Sequence, residues 1–531
     1  MRKLAALAGI GLIAGIGVWA MLADHRAPIP EAATKAVLAM KAGPNAQPLD
    51  SAEPIAAPNT QPNIILIVAD DLGWRDVGYN VSEIRTPVID RLAGEGLTLN
   101  RFYAWPSCSP TRAALMTGKS PMRLGVFAPL SKLNPTGLPI DEETLADRLK
   151  AAGYQTALVG KWHLGPRNLA YHPNNRGFDH FYGHLTGGVG YYDKVHGGGY
   201  DWQRNGVTVR DDHYATHLVA DEAIRVIEDR DTVRPLFLYA AFGAPHLPNE
   251  APEEALSAYG DIDDPNRRAH AAMVSELDAA IGRIHAALAQ QGLDESTVIW
   301  FLSDNGGLYP SNPARHLPDF LIGPVAANLL SIKMTPRFLK FVATNLRDGG
   351  SDNRPFAGGK QSVAEGGVRV PSFVRWPGRF APQRYNHMVT VQDVAPTLTA
   401  IAGAPVGEDH FDGRNVWSAL RTNTPAAVKD YIVATRTPNQ SDALYRYPHK
   451  LIEDARGQRL YNLEDDPLET RDLAGSEPEI VARLSTALAE FPRGENVAIP
   501  LQEVVDDPDF FGGKEDREPW AEQAYSPEDT S

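Results

Sequence analysis

The feature that most constrains this chain is a set of short, unbroken apolar runs, each ending in a polar cluster. Ile64-Ile65-Leu66-Ile67-Val68 is followed by Asp70-Asp71, and Thr156-Ala157-Leu158-Val159 runs into Gly160-Lys161-Trp162-His163. Pro235-Leu236-Phe237-Leu238-Tyr239 leads to Ala244-Pro245-His246, and Val298-Ile299-Trp300-Phe301-Leu302 stops at Ser303-Asp304-Asn305-Gly306-Gly307. Runs this short, apolar throughout instead of alternating, suit strands covered on both faces. Helical stretches separate them, so the pattern predicts an α/β domain whose mainly parallel sheet is flanked by helices. In such sheets ligands sit outside the carboxyl ends of the strands, so the four polar endings are expected to converge. Taken singly, each ending also suits a structural part. An Asp pair can cap a helix, His246 can be a structural hydrogen-bonder, Lys161 a solvated charge, and Asp-Asn-Gly-Gly a tight turn. Four in one chain point to a site.

Length and charge narrow the classes. A chain of 531 residues has room for one large domain and a smaller one. A formal charge of −15 argues against a nucleic-acid partner, which needs a basic surface, but not against a small anion held by a local cationic cluster. The single Cys rules out an internal disulfide and a Cys-based zinc site. That residue lies in Cys108-Ser109-Pro110-Thr111-Arg112. Ser109-Pro110 predicts a helix start with Cys108 just ahead of it. A helix N-terminus lowers a thiol's pKa, so a thiolate nucleophile and a small buried hydrophobe both stay open.

The remaining segments give expectations of organisation. Arg2 and Lys3 precede an uncharged apolar stretch over residues 4–23. At roughly 20 residues it suits either a cleaved signal peptide or an uncleaved N-terminal membrane anchor over residues 1–23. Either implies an exported protein, periplasmic or extracellular. Residues 24–62 are Ala/Pro-rich and read as a tether. Around 317–346 the chain is unusually apolar and cut by Pro318, Pro324 and Pro336, which predicts a helical insertion packed on the domain, with a lid or a membrane or subunit contact as alternatives. Residues 501–531 form an acidic tail expected to be poorly ordered.

Cys108-Ser109-Pro110-Thr111-Arg112 resembles the signature of the type I sulfatases, in which a maturation enzyme oxidises that Cys to formylglycine. Ile67-Val68-Ala69-Asp70-Asp71-Leu72-Gly73-Trp74, Gly160-Lys161-Trp162-His163-Leu164-Gly165, Ala244-Pro245-His246, Leu302-Ser303-Asp304-Asn305-Gly306-Gly307, and Gly359-Lys360 with Glu365-Gly366-Gly367-Val368-Arg369-Val370-Pro371 are similar to that family's blocks, in its order. Arg85-Thr86-Pro87, Arg176-Gly177-Phe178-Asp179 and Tyr191-Tyr192-Asp193 add a likeness to the arylsulfatase B group. Asp412-Gly413-Arg414-Asn415-Val416-Trp417 and Leu460-Tyr461-Asn462-Leu463-Glu464-Asp465-Asp466-Pro467 resemble the smaller sulfatase subdomain.

The resemblance implies an alkaline-phosphatase-like catalytic domain over residues 63–405 and an α+β subdomain with an antiparallel sheet over 406–500. It implies that Asp70, Asp71, Asp304 and Asn305, with the modified Cys108, hold a divalent cation. Their hard oxygen donors suit Ca2+, and Mg2+ if the cage were smaller. It further implies that a hydroxyl of the hydrated aldehyde at Cys108 attacks sulfur, that His246 protonates the leaving oxygen, and that His163 takes the proton from the second hydroxyl. Lys161 and Lys360 clamp the sulfate, to which His246 is also close, and Arg112 orients the nucleophile. The implied substrate is a sulfate ester, aryl in vitro and a sulfated carbohydrate in nature. The implied partner is a formylglycine-generating enzyme. Two alternatives from the same superfamily remain: a phosphatase or phosphonate monoester hydrolase, and a non-catalytic glycan-binding relative.

Overall fold

The computed structural model describes residues 61–132, 134–196, 199–308, 349–404, 410–435 and 440–498. The expected signal or anchor, most of the tether, the apolar insertion and the acidic tail lie outside the described residues. Among the described residues, no helix is long and apolar enough to cross a membrane.

In chain order the strands of the large sheet are β1 (Asn63–Ala69), β2 (Leu97–Leu99), β3 (Gln155–Lys161), β4 (His180–His184), β5 (Gln203–Arg204), β6 (Val207–Thr208), β7 (Leu236–Ala241), β8 (Thr297–Ser303), β9 (Ser372–Arg375) and β10 (Gln383–Tyr385). Their spatial order is β10-β2-β9-β8-β1-β7-β3-β4-β5-β6. The central five, β8-β1-β7-β3-β4, run parallel. Both sides of this block turn antiparallel, β9 against β8 and β5 against β4.

The unbroken apolar runs are explained by burial on both faces. Ile64, Leu66 and Val68 of β1 enter one core cluster, while Ile65, Ile67 and Ala69 enter the other. Successive side chains of a strand point to opposite faces, so a strand covered twice has no polar position to spare. The covering helices are α1 (Pro87–Gly94), α2 (Cys108–Thr117), α3 (Leu145–Ala151), α4 (Ala215–Glu228), α5 (Pro265–Gln290) and α6 (Val394–Ile401). Ala113–Met116 of α2 and Val394, Leu398 and Ile401 of α6 pack on one face. Leu218, Val219 and Ile227 of α4 and Met273, Leu277, Ile281 and Leu288 of α5 pack on the other.

A second sheet, β11 (Tyr431–Thr435), β12 (Ser441–Arg446), β13 (His449–Asp454) and β14 (Gly457–Asn462), is an antiparallel meander. Helix α7 (Pro478–Glu490) lays Val481, Leu484 and Leu488 on it. This unit shares its core with the large sheet, since Ile432, Leu444 and Leu451 join the cluster that holds Ile64 and Leu66.

Two local expectations need correction. Helix α2 begins at Cys108 itself, with extended Ser107 as its cap and Pro110 inside the first turn, one residue earlier than the Ser-Pro pair indicates. The parallel block also has a fifth strand, β4. Its sequence His-Phe-Tyr-Gly-His lacks the apolar run because it pairs on one side with β3 and on the other with the two-residue β5.

Candidate active site

Parallel strands put their carboxyl ends on one edge, and there the chain assembles its polar residues. Register fixes the spacing: Ala69 pairs with Ser303, Val68 with Ala241, and Ala241 with Gly160. The residues that follow β1, β3, β7 and β8 therefore meet above the sheet. Helix α2 brings Cys108 and Arg112, one turn apart, from the adjacent face.

Asp70 and Asp304 are fully buried among cations. Lys161 Nζ donates to Asp70 Oδ2 at 2.5 Å, and Arg112 Nη2 lies 3.9 Å from the same oxygen. Arg112 Nε and Nη2 both donate to Asp304 Oδ2, at 3.1 and 2.8 Å, and its Nη1 donates to the Lys161 carbonyl at 3.0 Å. Asp71 adopts a left-handed backbone (φ 65°), which turns its carboxylate back towards the cluster. Its Oδ2 accepts from Lys360 Nζ at 2.8 Å and faces His246 Nε2 at 3.7 Å, while its Oδ1 accepts from Asn305 Nδ2 at 2.6 Å. Cys108 Sγ lies 3.5 Å from Asp70 Oδ1.

His163 is also left-handed (φ 61°) and joins through Ser109, whose Oγ donates to the His163 carbonyl at 2.9 Å. Its Nε2 meets the Leu130 carbonyl at 3.0 Å and so carries the proton, which leaves Nδ1 as the basic nitrogen. His246 Nδ1 meets the Leu247 carbonyl at 2.7 Å by the same logic, which turns Nε2 towards Asp71. All ten residues singled out from the sequence therefore belong to one neighbourhood. His246 and Lys360 are its least buried members, with side chains 22% and 11% exposed, so the site opens on their side.

Burial and charge set the protonation states. Burial pushes the Cys108 thiol up to about 12 even though Lys161 and Lys360 pull it down. The unmodified side chain is thus a neutral thiol at neutral pH, against the thiolate that a helix N-terminus would favour. Burial and neighbouring Asp70 raise Asp304 to about 6. Burial opposes ionisation of Asp71, yet Lys360 and His246 hold its carboxyl well below the usual range. Burial, with Lys360, pushes His246 down to about 3.

The donor set fits a hard divalent cation. Ligand atoms of Asp70, Asp71, Cys108 and His246 lie within 4.8 Å of one another, and Asp304 and Asn305 adjoin them. Asn305 supplies the sharper observation. Its Nδ2 donates to Asp71 and to the Gly306 carbonyl, but its buried Oδ1 accepts no hydrogen bond. A buried amide oxygen left without a donor is costly, and three carboxylates beside it are what such a cation coordinates.

Several supporting residues were not among the candidate site residues. Tyr191 Oη donates to the carbonyls of Gly243 and His246, bracing the loop after β7. Asp76 accepts from Ser351 Oγ at 2.5 Å and contacts Arg267 and His270 of α5, tying the loop after β1 to the segment before Lys360. Glu365, five residues beyond Lys360, meets Tyr103, Tyr445 and Lys450, so the small sheet braces that segment from behind. Their partners are distant in sequence; Tyr191 and Glu365 stand in sequence blocks given above, whereas nothing local marks Asp76.

A family model for Sulfatase matches residues 62–404. The chain is 31% identical over 511 residues to arylsulfatase J of Mus musculus, an alignment covering 85% of this chain and 79% of that protein. It is 32% identical over 392 residues to N-acetylgalactosamine-6-sulfatase of Canis lupus familiaris, covering 68% of this chain and 66% of that one. Among solved structures, that of Ps i-CgsB in complex with k-i-k-neocarrahexaose superposes with a TM-score of 0.73 at 29% identity, covering 88% of this chain and 99% of the other.

Proposed function

Because the chain belongs to the sulfatase family and is a sulfuric ester hydrolase, we propose that it desulfates a carbohydrate, working through a formylglycine made from Cys108 and a Ca2+ ion held by Asp70, Asp71, Asp304 and Asn305. The observation that carries this reading is the pairing of a buried, neutral Cys108 thiol with the unsatisfied Asn305 oxygen in one acidic cluster. A neutral thiol is a poor nucleophile, whereas an aldehyde made from it needs no low pKa. When bound, the cation would polarise the sulfate group, and the aldehyde made from Cys108 would supply, as its hydrate, an oxygen nucleophile.

The remaining work falls to the protein's own side chains. Lys161 and Lys360 bind the sulfate oxygens, where negative charge grows during transfer. Arg112, locked on Asp304, keeps its charge beside residue 108. His246 Nε2 gives its proton to the departing oxygen, and His163 Nδ1 accepts one from residue 108 afterwards. Burial, with Lys360, keeps the free His246 imidazole neutral; an anionic ester beside Lys360 offsets that cation and favours uptake at Nε2 of the proton it then gives. Support for a sugar substrate comes from the two names above, one an N-acetylgalactosamine-6-sulfatase and one bound to k-i-k-neocarrahexaose. The outward location expected from residues 1–23 belongs to the same proposal, as does the need for a maturation enzyme.

The test is a mass spectrum of the peptide containing residue 108, taken with turnover of an aryl sulfate and an aryl phosphate. Aldehyde at residue 108, sulfate preferred over phosphate, and no turnover by Cys108→Ala are expected. Full activity with an unmodified thiol would overturn the formylglycine reading.

A further inference from the structure

The segment after β4, Leu185-Thr186-Gly187-Gly188, touches both imidazoles to which proton transfer is assigned above. It crosses the backbone of the first, since His163 N donates to the Leu185 carbonyl at 3.1 Å. A Cβ on Gly187 would lie 2.8 Å from Cε1 and Nε2 of His163. A Cβ on Gly188 would lie 3.1 Å from Cε1 and Nδ1 of His246. Two consecutive residues without side chains thus form a thin backbone wall, with one histidine ring against each.

The wall is pinned by Asp201. Its Oδ1 accepts from Leu185 N at 3.0 Å, and its Oδ2 accepts from Thr186 N at 2.8 Å and Thr186 Oγ1 at 2.6 Å. The carboxyl is 1% exposed, and burial raises its pKa. Three donors from two adjacent residues fix the segment more tightly than its β4 pairing alone, which ends at His184.

We propose that Asp201 and the Thr186-Gly187-Gly188 segment are positioning residues that set the ring placement of His163 and His246 for their separate proton transfers. The inference rests on the roles proposed for those two histidines. It predicts a division of labour, because each glycine bears on one ring. A methyl at Gly187 falls well inside contact distance, and the atoms it meets belong to a side chain, so the ring moves and the fold stays. A methyl at Gly188 is tight by only a few tenths of an ångström, so its effect is smaller. Misplacement on the scale of 1 Å can cost about 100-fold in rate.

The test uses the full-length protein with 15N- and 13C-labelled histidine. Ring resonances are read before any assay and without regard to the state of residue 108. Gly187→Ala should shift the His163 ring signals and spare those of His246, Gly188→Ala should do the converse, and Asp201→Asn should move both. Unchanged ring signals in all three variants would overturn the proposal. In turnover, Gly188→Ala should slow poor leaving groups more than activated aryl sulfates, since His246 acts on the leaving oxygen. Gly187→Ala should slow all esters about equally, by roughly 10- to 100-fold, since the alcohol has already left when His163 acts. Identical leaving-group dependence in both variants, with equal loss of Tm, would reduce the segment to a structural role. Ring shifts as expected in a protein that hydrolyses no sulfate ester would leave the positioning intact and defeat the functional reading instead.

Discussion

At the scale of single residues, the site is a balance of buried charges that only makes sense as a whole. Asp70, Asp71 and Asp304 place three carboxylates beside Lys161, Lys360 and Arg112 in a space where an isolated charge would be prohibitive. Asn305 stands apart as the neutral member whose oxygen has no protein donor. Replacing it by Leu keeps the branched shape and removes that oxygen together with the Nδ2 donor to Asp71. The Asn305→Leu variant should lose divalent-cation affinity by roughly 10- to 100-fold, read by titration calorimetry, while the fold persists. Unchanged affinity would remove Asn305 from the ligand set. At this scale the polar residues that end apolar strands stood out by pattern, whereas Arg112 and Lys360 were marked only by the likeness to sulfatase blocks. On the protonation of Cys108 the sequence left two readings open. A helix N-terminus pointed to an acidic thiol at Cys108, whereas enclosure by the fold pushes that thiol up to about 12.

At the scale of elements, helix α2 shows how one short segment is positioned from both ends. Its ten residues are all buried, and it ends at Gly118 in the left-handed region (φ 68°), whose N–H bonds the Ala114 carbonyl. A Cβ there would lie 2.4 Å from the Phe411 ring and 3.0 Å from Pro396 of α6. Gly118→Ala should therefore destabilise by about 2 kcal/mol, through the left-handed strain plus the clash, and lower the Tm. A calorimetric scan checks this, and an unchanged Tm would mean that residue 118 is neither strained nor crowded by Phe411 and Pro396. The four long parallel strands were legible because burial on both faces forces an unbroken apolar run. Strand β4 was not, since its polar and glycine positions are satisfied by neighbours from elsewhere in the chain: Glu222 accepts from His180, and Gly183 packs on the Gly160 backbone.

At the scale of the whole molecule, the stability of the large domain should depend on the proposed cation and on pH. A cation that binds only the folded protein adds about 2.7 kcal/mol when its free concentration is 100 times its Kd. Chelation should therefore lower the Tm, and restoring Ca2+ should return it; a Tm indifferent to chelation would argue against the ion. Acid should act through Asp76 as well. Burial opposes its ionisation, but His270 and Arg267 hold its carboxyl well below the usual carboxylate range. Its stabilising contribution is thus complete above the unfolded carboxyl's pKa of about 4 and is lost as pH falls through that value towards the folded one. Asp76→Asn should be less stable at neutral pH and lose less on acidification, as followed by denaturant titration at several pH values. An identical pH slope in the variant would place the acid sensitivity elsewhere.

The class of fold and the order of the strands' polar endings were already legible in the sequence. These are properties of periodicity and composition, which a chain carries locally. The tertiary structure decided what lies between those endings: the fifth parallel strand, the Asp201 clamp on Thr186, the glycine wall between His163 and His246, and the Glu365–Lys450 brace from the small sheet. Each depends on contacts between residues far apart in the chain, and no local pattern encodes which distant partner will satisfy a buried donor or leave room for a ring. The reading of Cys108 changed for the same reason. Its place at a helix start was written in the neighbouring residues, but its neutral state depends on how completely the rest of the molecule closes over it.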